Sequence, residues 1–220
     1  MGNLHDDLVR QQMTFVIIDF EATTPVGHPP QPIEVAALAL RYTNDGWAES
    51  GRSTSLIQPP AFAPVTWANT AQSGLTPGHF TTAPTPAEAL GALDRRFTGQ
   101  SRYLLVAQHA TTEANIIHHQ REHCPTLARI DLIDTIPLAK HIFPGLANYK
   151  LDTLLAQLSI AHPADRHRAT ADVAVTAQVF TDLINIADRG RAIGGLTELV
   201  TIAGRTAKAN QPTQQHLFEP

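Results

Sequence analysis

One short stretch near the amino terminus constrains the fold more than any other part of the chain. Phe15, Val16, Ile17 and Ile18 are apolar and mostly β-branched, which predicts a buried strand, and two carboxylates follow at its exit. Side chains alternate between the two faces of a strand, so Asp19 and Glu21 should point the same way. Adjacent carboxylates repel each other, and a divalent cation with hard oxygen ligands, such as Mg²⁺ or Mn²⁺, relieves the repulsion. The alternative is that Glu21 has already left the sheet and is solvated.

The composition is that of an ordinary globular domain. The chain has 220 residues, 43% of them hydrophobic and 16% charged, which suffices for one sizeable core. A formal net charge of −4 excludes a globally basic surface, so a polyanion would have to be held by a local patch or by metal ions. The single cysteine, Cys124, excludes an intramolecular disulfide, and no apolar run reaches the length of a membrane span. We therefore expect a cytoplasmic protein that makes no membrane contact.

The order of predicted elements indicates an α/β layered fold. Three strands form an antiparallel meander, and two later strands alternate with helices, which predicts that they run parallel to the first. The predicted strands are about 14–20, 33–41, 47–57, 103–107 and 129–133. Thr85 and Asp134 are predicted N-caps, and the last long helix covers about 169–188. The predicted organisation is an N-terminal leader or short helix (1–12), one domain with a mixed five-stranded sheet flanked by helices (13–190), and a flexible C-terminal tail (191–220) with one short helical pattern from Ile193 onward.

Two further stretches contain candidate site residues. Glu113 follows the fourth strand and falls in the first turn of a helix, where the alternative role is only to favour the helix dipole. His167 and Asp172 are five residues apart, which in one helix would place them about 140° apart. They can converge only if His167 lies on the loop before the helix and Asp172 in its first turn. Ligand sites in such sheets lie at the carboxyl ends of strands, where Asp19 and Glu21 are expected.

Taken in order, these stretches resemble the motifs of the DEDDh, or DnaQ-like, 3′–5′ exonucleases. The matching segments are 15–24, 32–36, 106–117, 133–139, 148–152 and 167–172. The resemblance implies a ribonuclease H-like fold, in agreement with the predicted layers. It also implies two divalent cations, Mg²⁺ or Mn²⁺, held by Asp19, Glu21 and Asp172, with Glu113 as a further ligand, directly or through water. His167 would be the general base, since histidine changes its charge near neutral pH.

The resemblance further implies contacts with substrate. Thr23 and Thr24 would lie beside the terminal nucleotide, and His109 belongs to the pair that replaces the family's usual His-Asn. Lys150 and Arg168 are charges that could meet phosphates, with ordinary surface charge as the alternative. The sequence also departs from the family, because Glu113 stands where an Asp is usual and a proline follows the two threonines. We expect a working but retuned second metal site.

The predicted activity is metal-dependent hydrolysis of phosphodiester bonds from a 3′ end, with release of nucleoside 5′-monophosphates. Single-stranded or 3′-end DNA is the favoured substrate, in proofreading or repair. The alternatives are an oligoribonuclease or RNA-trimming enzyme, and a catalytically silent nucleic-acid-binding module, because the motifs contact phosphate and metal rather than the 2′-hydroxyl.

The end of the chain carries one more resemblance. Residues 214–218 resemble the bacterial sliding-clamp-binding motif, in which a glutamine precedes a Leu-Phe pair that fills a hydrophobic pocket. The clamp would be contacted by Gln214, Leu217 and Phe218, and the alternative is a tail with two stray apolar residues.

Overall fold

The computed structural model describes residues 3–99, 101–163 and 167–211. In these ranges the strands are β1 Met13–Thr23, β2 Gln31–Thr43, β3 Gly46–Leu56, β4 Arg102–Ala107, β5 Leu132–Asp134 and β6 Gly204–Arg205. They form one mixed sheet in the order β3-β2-β1-β4-β5-β6. β4 runs parallel to both β1 and β5, and the other neighbours are antiparallel. The predicted meander followed by parallel strands is confirmed, with six strands in the described ranges rather than five.

Helices cover both faces of this sheet. Their bounds are α1 Leu4–Gln11, α2 Trp67–Ser73, α3 Pro86–Asp94, α4 Thr111–His119, α5 Thr135–Ile142, α6 Leu151–Gln157, α7 Ala169–Arg189 and α8 Leu196–Ala203. Phe15 and Ile17 of β1 are buried in the core on the α7 side, together with Phe180. Val16 and Ile18 are buried in the core on the other side, with residues of α3 and α4. This alternation places positions 19 and 21 on the α7 side of the sheet.

The helix starts follow the signals in the sequence. The Thr85 side chain accepts a hydrogen bond from the Glu88 backbone N–H, and the Glu88 side chain accepts one from the Thr85 backbone N–H, so both halves of a capping box are present at α3. Asp134 caps α5 by accepting from the backbone N–H of Ile136 at 3.0 Å. The longest described helix, α7, packs against β1 and β2. Among the described residues, no helix is both long and apolar enough to cross a membrane.

Both ends of the domain contain elements that pack on it. The predicted leader or short helix contains α1, whose Leu4 and Leu8 are fully buried in the core on the α7 side. The predicted tail, in the part described up to residue 211, contains β6 and, where the sequence has a short helical pattern, α8 with its fully buried Leu199. A strand of two residues has no recognisable periodicity, so β6 has no signal in the sequence. Gln214, Leu217 and Phe218 lie outside the described residues.

Candidate active site

Three carboxylates converge at the carboxyl end of β1. Asp19 and Glu21 are both in the strand and share its α7 face. The backbone of Glu21 lies opposite Glu34 of β2 in the sheet register, so the alternative of a solvated Glu21 beyond the sheet is wrong. A bulge follows between Glu21 and Ala22, an irregularity that often accompanies a site. Asp172 lies in the first turn of α7. One carboxylate oxygen from each of Asp19, Glu21 and Asp172 lies within 4.8 Å of the other two.

A fourth carboxylate, Glu113, is buried beside this cluster. It occupies the first turn of α4 and is 4% exposed, and no described group hydrogen-bonds its Oε2. Burial raises the pKa of Glu113 well above its ordinary value, and the charge of Asp19 raises it further. A role limited to favouring the helix dipole would leave this carboxylate in solvent, where it costs nothing. A buried carboxylate oxygen without a hydrogen-bond partner costs free energy, and the cost points to a positive charge as its missing partner.

The donor set fits divalent cations of the hard type. Asp19, Glu21, Glu113 and Asp172 offer carboxylate oxygens, the ligands that Mg²⁺ and Mn²⁺ prefer. Asp172 is 9% exposed, so part of this negative charge is removed from solvent, where water would otherwise screen it. The acidic cluster, meaning these four residues, is therefore suited to hold metal ions.

His167 lies on the segment that leads into α7, five positions before Asp172. It precedes the helix by two residues, as convergence with Asp172 requires, and its side chain is exposed. Its backbone has a φ of 66°, a left-handed conformation that is uncommon outside glycine. The Gln72 amide of α2 lies 3.4 Å from its Nδ1. Sequence reasoning missed Gln72, since nothing in the pattern of a proline-rich connection identifies a residue that contacts a histidine 95 positions away.

The first turn of α7 is held in place by Glu34, which is 2% exposed. The Arg168 side chain donates to it from Nε at 3.1 Å and from Nη2 at 2.8 Å, and the backbone N–H of Ala169 donates at 3.1 Å. Glu34 thereby satisfies a free N–H at the helix start and places a carboxylate where the helix dipole favours one. The predicted contact between Arg168 and phosphate stays a prediction, and Arg168 would have to make it while paired with Glu34.

The other predicted substrate residues lie at the end of β1, after β4 and before α6. Thr23 is buried and its hydroxyl donates to the Ala63 carbonyl at 3.2 Å, whereas the side chain of Thr24 is exposed. His109 lies between β4 and α4 with a φ of 64°, and Lys150 is the residue before α6; both are exposed. Contact of these four with substrate stays a prediction, and Thr24 is the threonine whose side chain faces solvent.

The fold and the acidic cluster together define a ribonuclease H-like nuclease. More narrowly, the chain belongs to the exonuclease family whose model, RNase_T, described as "Exonuclease", matches residues 16–180. The resemblance to the DEDDh, DnaQ-like exonucleases is thereby confirmed. DNA polymerase III subunit epsilon of Aquifex aeolicus (strain VF5) is 25% identical over 172 residues, which cover 78% of this chain and 80% of that protein.

Two further comparisons define the extent of the similarity. The PolC-type DNA polymerase III of Clostridium perfringens (strain 13 / Type A) is 27% identical over 166 residues, 76% of this chain but 11% of that protein. The PolC-type polymerase of Caldanaerobacter subterraneus subsp. tengcongensis is 30% identical over 83 residues, 37% of this chain and 6% of that protein. The chain thus spans only a small part of the PolC-type polymerases that it matches.

Solved structures share the fold at lower sequence identity. The nuclease domain of 3′hExo, a DEDDh family member bound to rAMP, superposes with a TM-score of 0.66 at 16% identity, over 80% of this chain and 93% of that one. Exonuclease X in complex with 5′ overhanging duplex DNA has a TM-score of 0.59 at 19% identity, over 86% and 98% of the two chains.

Proposed function

We propose that this protein is a metal-dependent 3′–5′ exonuclease that hydrolyses phosphodiester bonds from a 3′ end and releases nucleoside 5′-monophosphates. The observation that carries the proposal is the acidic cluster. Three carboxylates from β1 and α7 each place one oxygen within 4.8 Å of the other two, and Glu113 is buried beside them with no described hydrogen-bond partner for its Oε2. Such a concentration of negative charge is unfavourable unless cations compensate it. The hydrolysis of nucleic acids is a reaction that uses two divalent cations.

Each side chain of the site has a proposed role. Asp19, Glu21 and Asp172 would hold two divalent cations, with Glu113 as a ligand directly or through water. When bound, these cations supply activation of the attacking water and stabilisation of the charge on the phosphate and the leaving 3′-oxygen. The carboxylates also orient whatever occupies the end of β1, because two of them are fixed by a strand and the other two by the first turns of α4 and α7.

His167 is the proposed general base. The Gln72 amide contacts its Nδ1, and turning that amide by 180° presents its oxygen to an Nδ1–H group. In that tautomer Nε2 is the basic nitrogen and takes the proton of the attacking water. The contact would also hold the imidazole in one orientation.

DNA is the proposed substrate, in proofreading or repair. Support comes from the similarity to a replicative polymerase subunit over most of both chains. RNA is the second candidate, because one protein of the same fold, at 16% identity, was solved as a 3′-exonuclease recognising the 3′ end of a histone mRNA stem-loop. The residues of the acidic cluster do not distinguish the deoxyribose of DNA from the ribose of RNA.

The test uses matched DNA and RNA strands of one sequence, each labelled at its 5′ end, with Mg²⁺, Mn²⁺ or EDTA. We expect the labelled strand to shorten in steps of one nucleotide, nucleoside 5′-monophosphates to accumulate, and EDTA to stop both. The Asp172→Asn protein is the matched control for a contaminating nuclease. Binding without shortening of either strand, in both metals, would instead indicate the catalytically silent module.

We also propose, from the sequence alone, that residues 214–218 bind a bacterial sliding clamp. Tethering would raise the effective concentration of DNA at the site of a protein whose net charge is −4. A peptide of residues 210–220 should bind a purified clamp and lose binding when Leu217 and Phe218 become Ala. Absence of binding would remove the clamp proposal without affecting the exonuclease proposal.

A further inference from the structure

A groove of about 610 Å³ opens beside the acidic cluster, between the end of β4, α5 and the start of α6. Its rim carries His109, Lys140 and Lys150, and we call it the lysine groove. The remaining lining includes Tyr149 and Asn148. Sequence reasoning singled out Lys150 and His109 but missed Lys140, whose position on α5 shows no pattern that separates it from an ordinary surface lysine.

The walls of the lysine groove are fixed to the sheet. The side-chain amide of Gln108, the residue after β4, donates from Nε2 to the Tyr149 carbonyl at 2.9 Å. The Tyr149 hydroxyl donates to the Phe143 carbonyl at 2.8 Å, which closes the loop between α5 and α6. Lys140 Nζ lies 5.6 Å from the centroid of the Tyr149 ring, within the range of a cation–π interaction. The groove therefore presents a positively charged group over an aromatic surface in a defined arrangement.

Strand register places this groove next to the acidic cluster. β1 and β4 are parallel neighbours with Ile17 opposite Val106, so position 19 is level with position 108. Neighbouring strands are about 4.8 Å apart. Gln108 and His109 line the groove, while Glu113 follows them in α4. A chain bound with its end at Asp19 and running across β4 would enter the groove within one nucleotide's length.

The lysine groove concentrates positive charge in a chain that has few lysines. The sequence has three lysines, and two of them line this one surface. None of the described lining residues is acidic, and the ion pairs found among the described residues include neither Lys140 nor Lys150. The Oδ1 atom of the nearby Asp152 lies 3.7 Å from the Nδ1 atom of His162. With a net charge of −4 and four carboxylates at the acidic cluster, the protein would be helped by such a local patch, in addition to metal ions, in attracting a polyanion.

We propose that the lysine groove binds the phosphodiester backbone of the strand whose 3′ end enters the acidic cluster. Lys140 and Lys150 contact phosphates of nucleotides upstream of the scissile bond, and Tyr149 offers its ring as an apolar surface beside Lys140. Lysine and an aromatic ring together form the combination that holds single strands without sequence preference. The identity of this ligand rests on the proposed exonuclease function, whereas the affinity for a polynucleotide can be measured without any cleavage.

The experiment measures binding of a fluorescein-labelled single-stranded oligonucleotide by anisotropy, in EDTA, over a series of salt concentrations. DNA and RNA of one sequence form two arms. The proteins are the full-length wild type, Lys140→Gln, Lys150→Gln, the double variant, and Lys208→Gln. The last variant removes the same charge from a lysine outside the groove. Thermal melts verify that each variant is folded, and Lys→Arg variants at both positions test whether charge alone suffices.

We expect each groove substitution to weaken binding about twofold to fivefold, the range of an exposed ion pair, and Lys208→Gln to leave it unchanged. The slope of log K against log salt is negative, and its magnitude should decrease by about 0.7 for each lost phosphate contact, or by about 1.4 in the double variant. An equal loss of affinity in Lys208→Gln would show that only the net charge of the protein matters. An unchanged salt slope in the double variant would show that the strand binds outside the groove. Either result overturns the proposal. A wild type that binds through the groove but cleaves neither strand would contradict the exonuclease function alone.

Discussion

Substituting Glu113 by Gln should stabilise the metal-free protein while it damages the enzyme. Glu113 is 4% exposed, its Oε2 has no hydrogen-bond partner among the described residues, and Asp19 adds like-charge repulsion. Glutamine has nearly the same shape but no charge, so the variant removes the unfavourable charge without creating a cavity. Each tenfold change in the proton affinity of a carboxylate corresponds to about 1.4 kcal/mol, and burial raises the pKa of Glu113 well above its ordinary value. For a chain of this size each kcal/mol shifts the melting temperature by about 2–4 °C, so we expect a rise of several degrees.

The stabilisation should depend on pH with a defined sign. Burial, followed by the charge of Asp19, raises the pKa of Glu113 above the ordinary value of 4.5. Above pH 4.5 the folded protein therefore holds more protons at this site than the unfolded chain does, and the free energy of unfolding falls as pH rises. The advantage of Glu113→Gln should be small below pH 4.5 and grow from there towards the raised pKa of the folded protein.

Divalent cations should reduce or reverse the difference in melting temperature between Glu113→Gln and the wild type. A ligand at about one hundred times its Kd stabilises the folded protein by about 2.7 kcal/mol, and the variant, with one carboxylate fewer, should gain less. Differential scanning fluorimetry in EDTA and in Mg²⁺ or Mn²⁺ measures both effects. Glu122→Gln, an exposed residue beyond the end of the same helix, is the control for removal of one negative charge. If Glu113→Gln melts at or below the wild type in EDTA, then Glu113 is not an uncompensated buried charge.

Three further substitutions test the other parts of the site. Asp172→Asn should abolish cleavage while the metal-free melting temperature holds or rises, and full activity of the purified variant would exclude Asp172 as a metal ligand. His167→Ala should lower kcat by about 10²–10⁴-fold with a smaller effect on KM, and remove the ascending limb of the pH–rate profile; an unchanged profile would mean that another group is the base. Glu34→Gln should weaken the bonds to Arg168 and lower the free energy of unfolding by about 1.5–3 kcal/mol, which urea denaturation measures, and an unchanged midpoint would contradict the role of Glu34 at the start of α7.

Much of the fold could be predicted because its signals are local. The alternation in β1 assigns Phe15 and Ile17 to one face and Val16 and Ile18 to the other, and the structure buries each pair in a different core. The capping box at Thr85 identifies the start of α3 within one residue. Propensity and capping act over a few positions, so they are readable without knowledge of the rest of the chain.

The elements at the two ends of the domain have weak local signals or none. β6 is two residues long and exists only because β5 offers an open edge for it. α1 and α8 are short, and isolated helices of that length are marginal in water. Both helices are held by tertiary packing, through Leu4 and Leu8 of α1 and Leu199 of α8, and the core that receives those side chains is assembled from distant segments.

The sequence by itself determined the class of protein, the order of its elements and the four acidic candidates, because motif spacing and strand alternation are properties of short segments. Only the tertiary structure decided which charges lie close together. It brings Asp172 to Asp19 and Glu21, buries the Oε2 atom of Glu113 without a described hydrogen-bond partner, joins Glu34 to Arg168 across 134 positions, and places Lys140 and Lys150 on one groove. The physical reason is that an ionic environment depends on distance and burial, and both are set by packing between segments that are far apart in the chain.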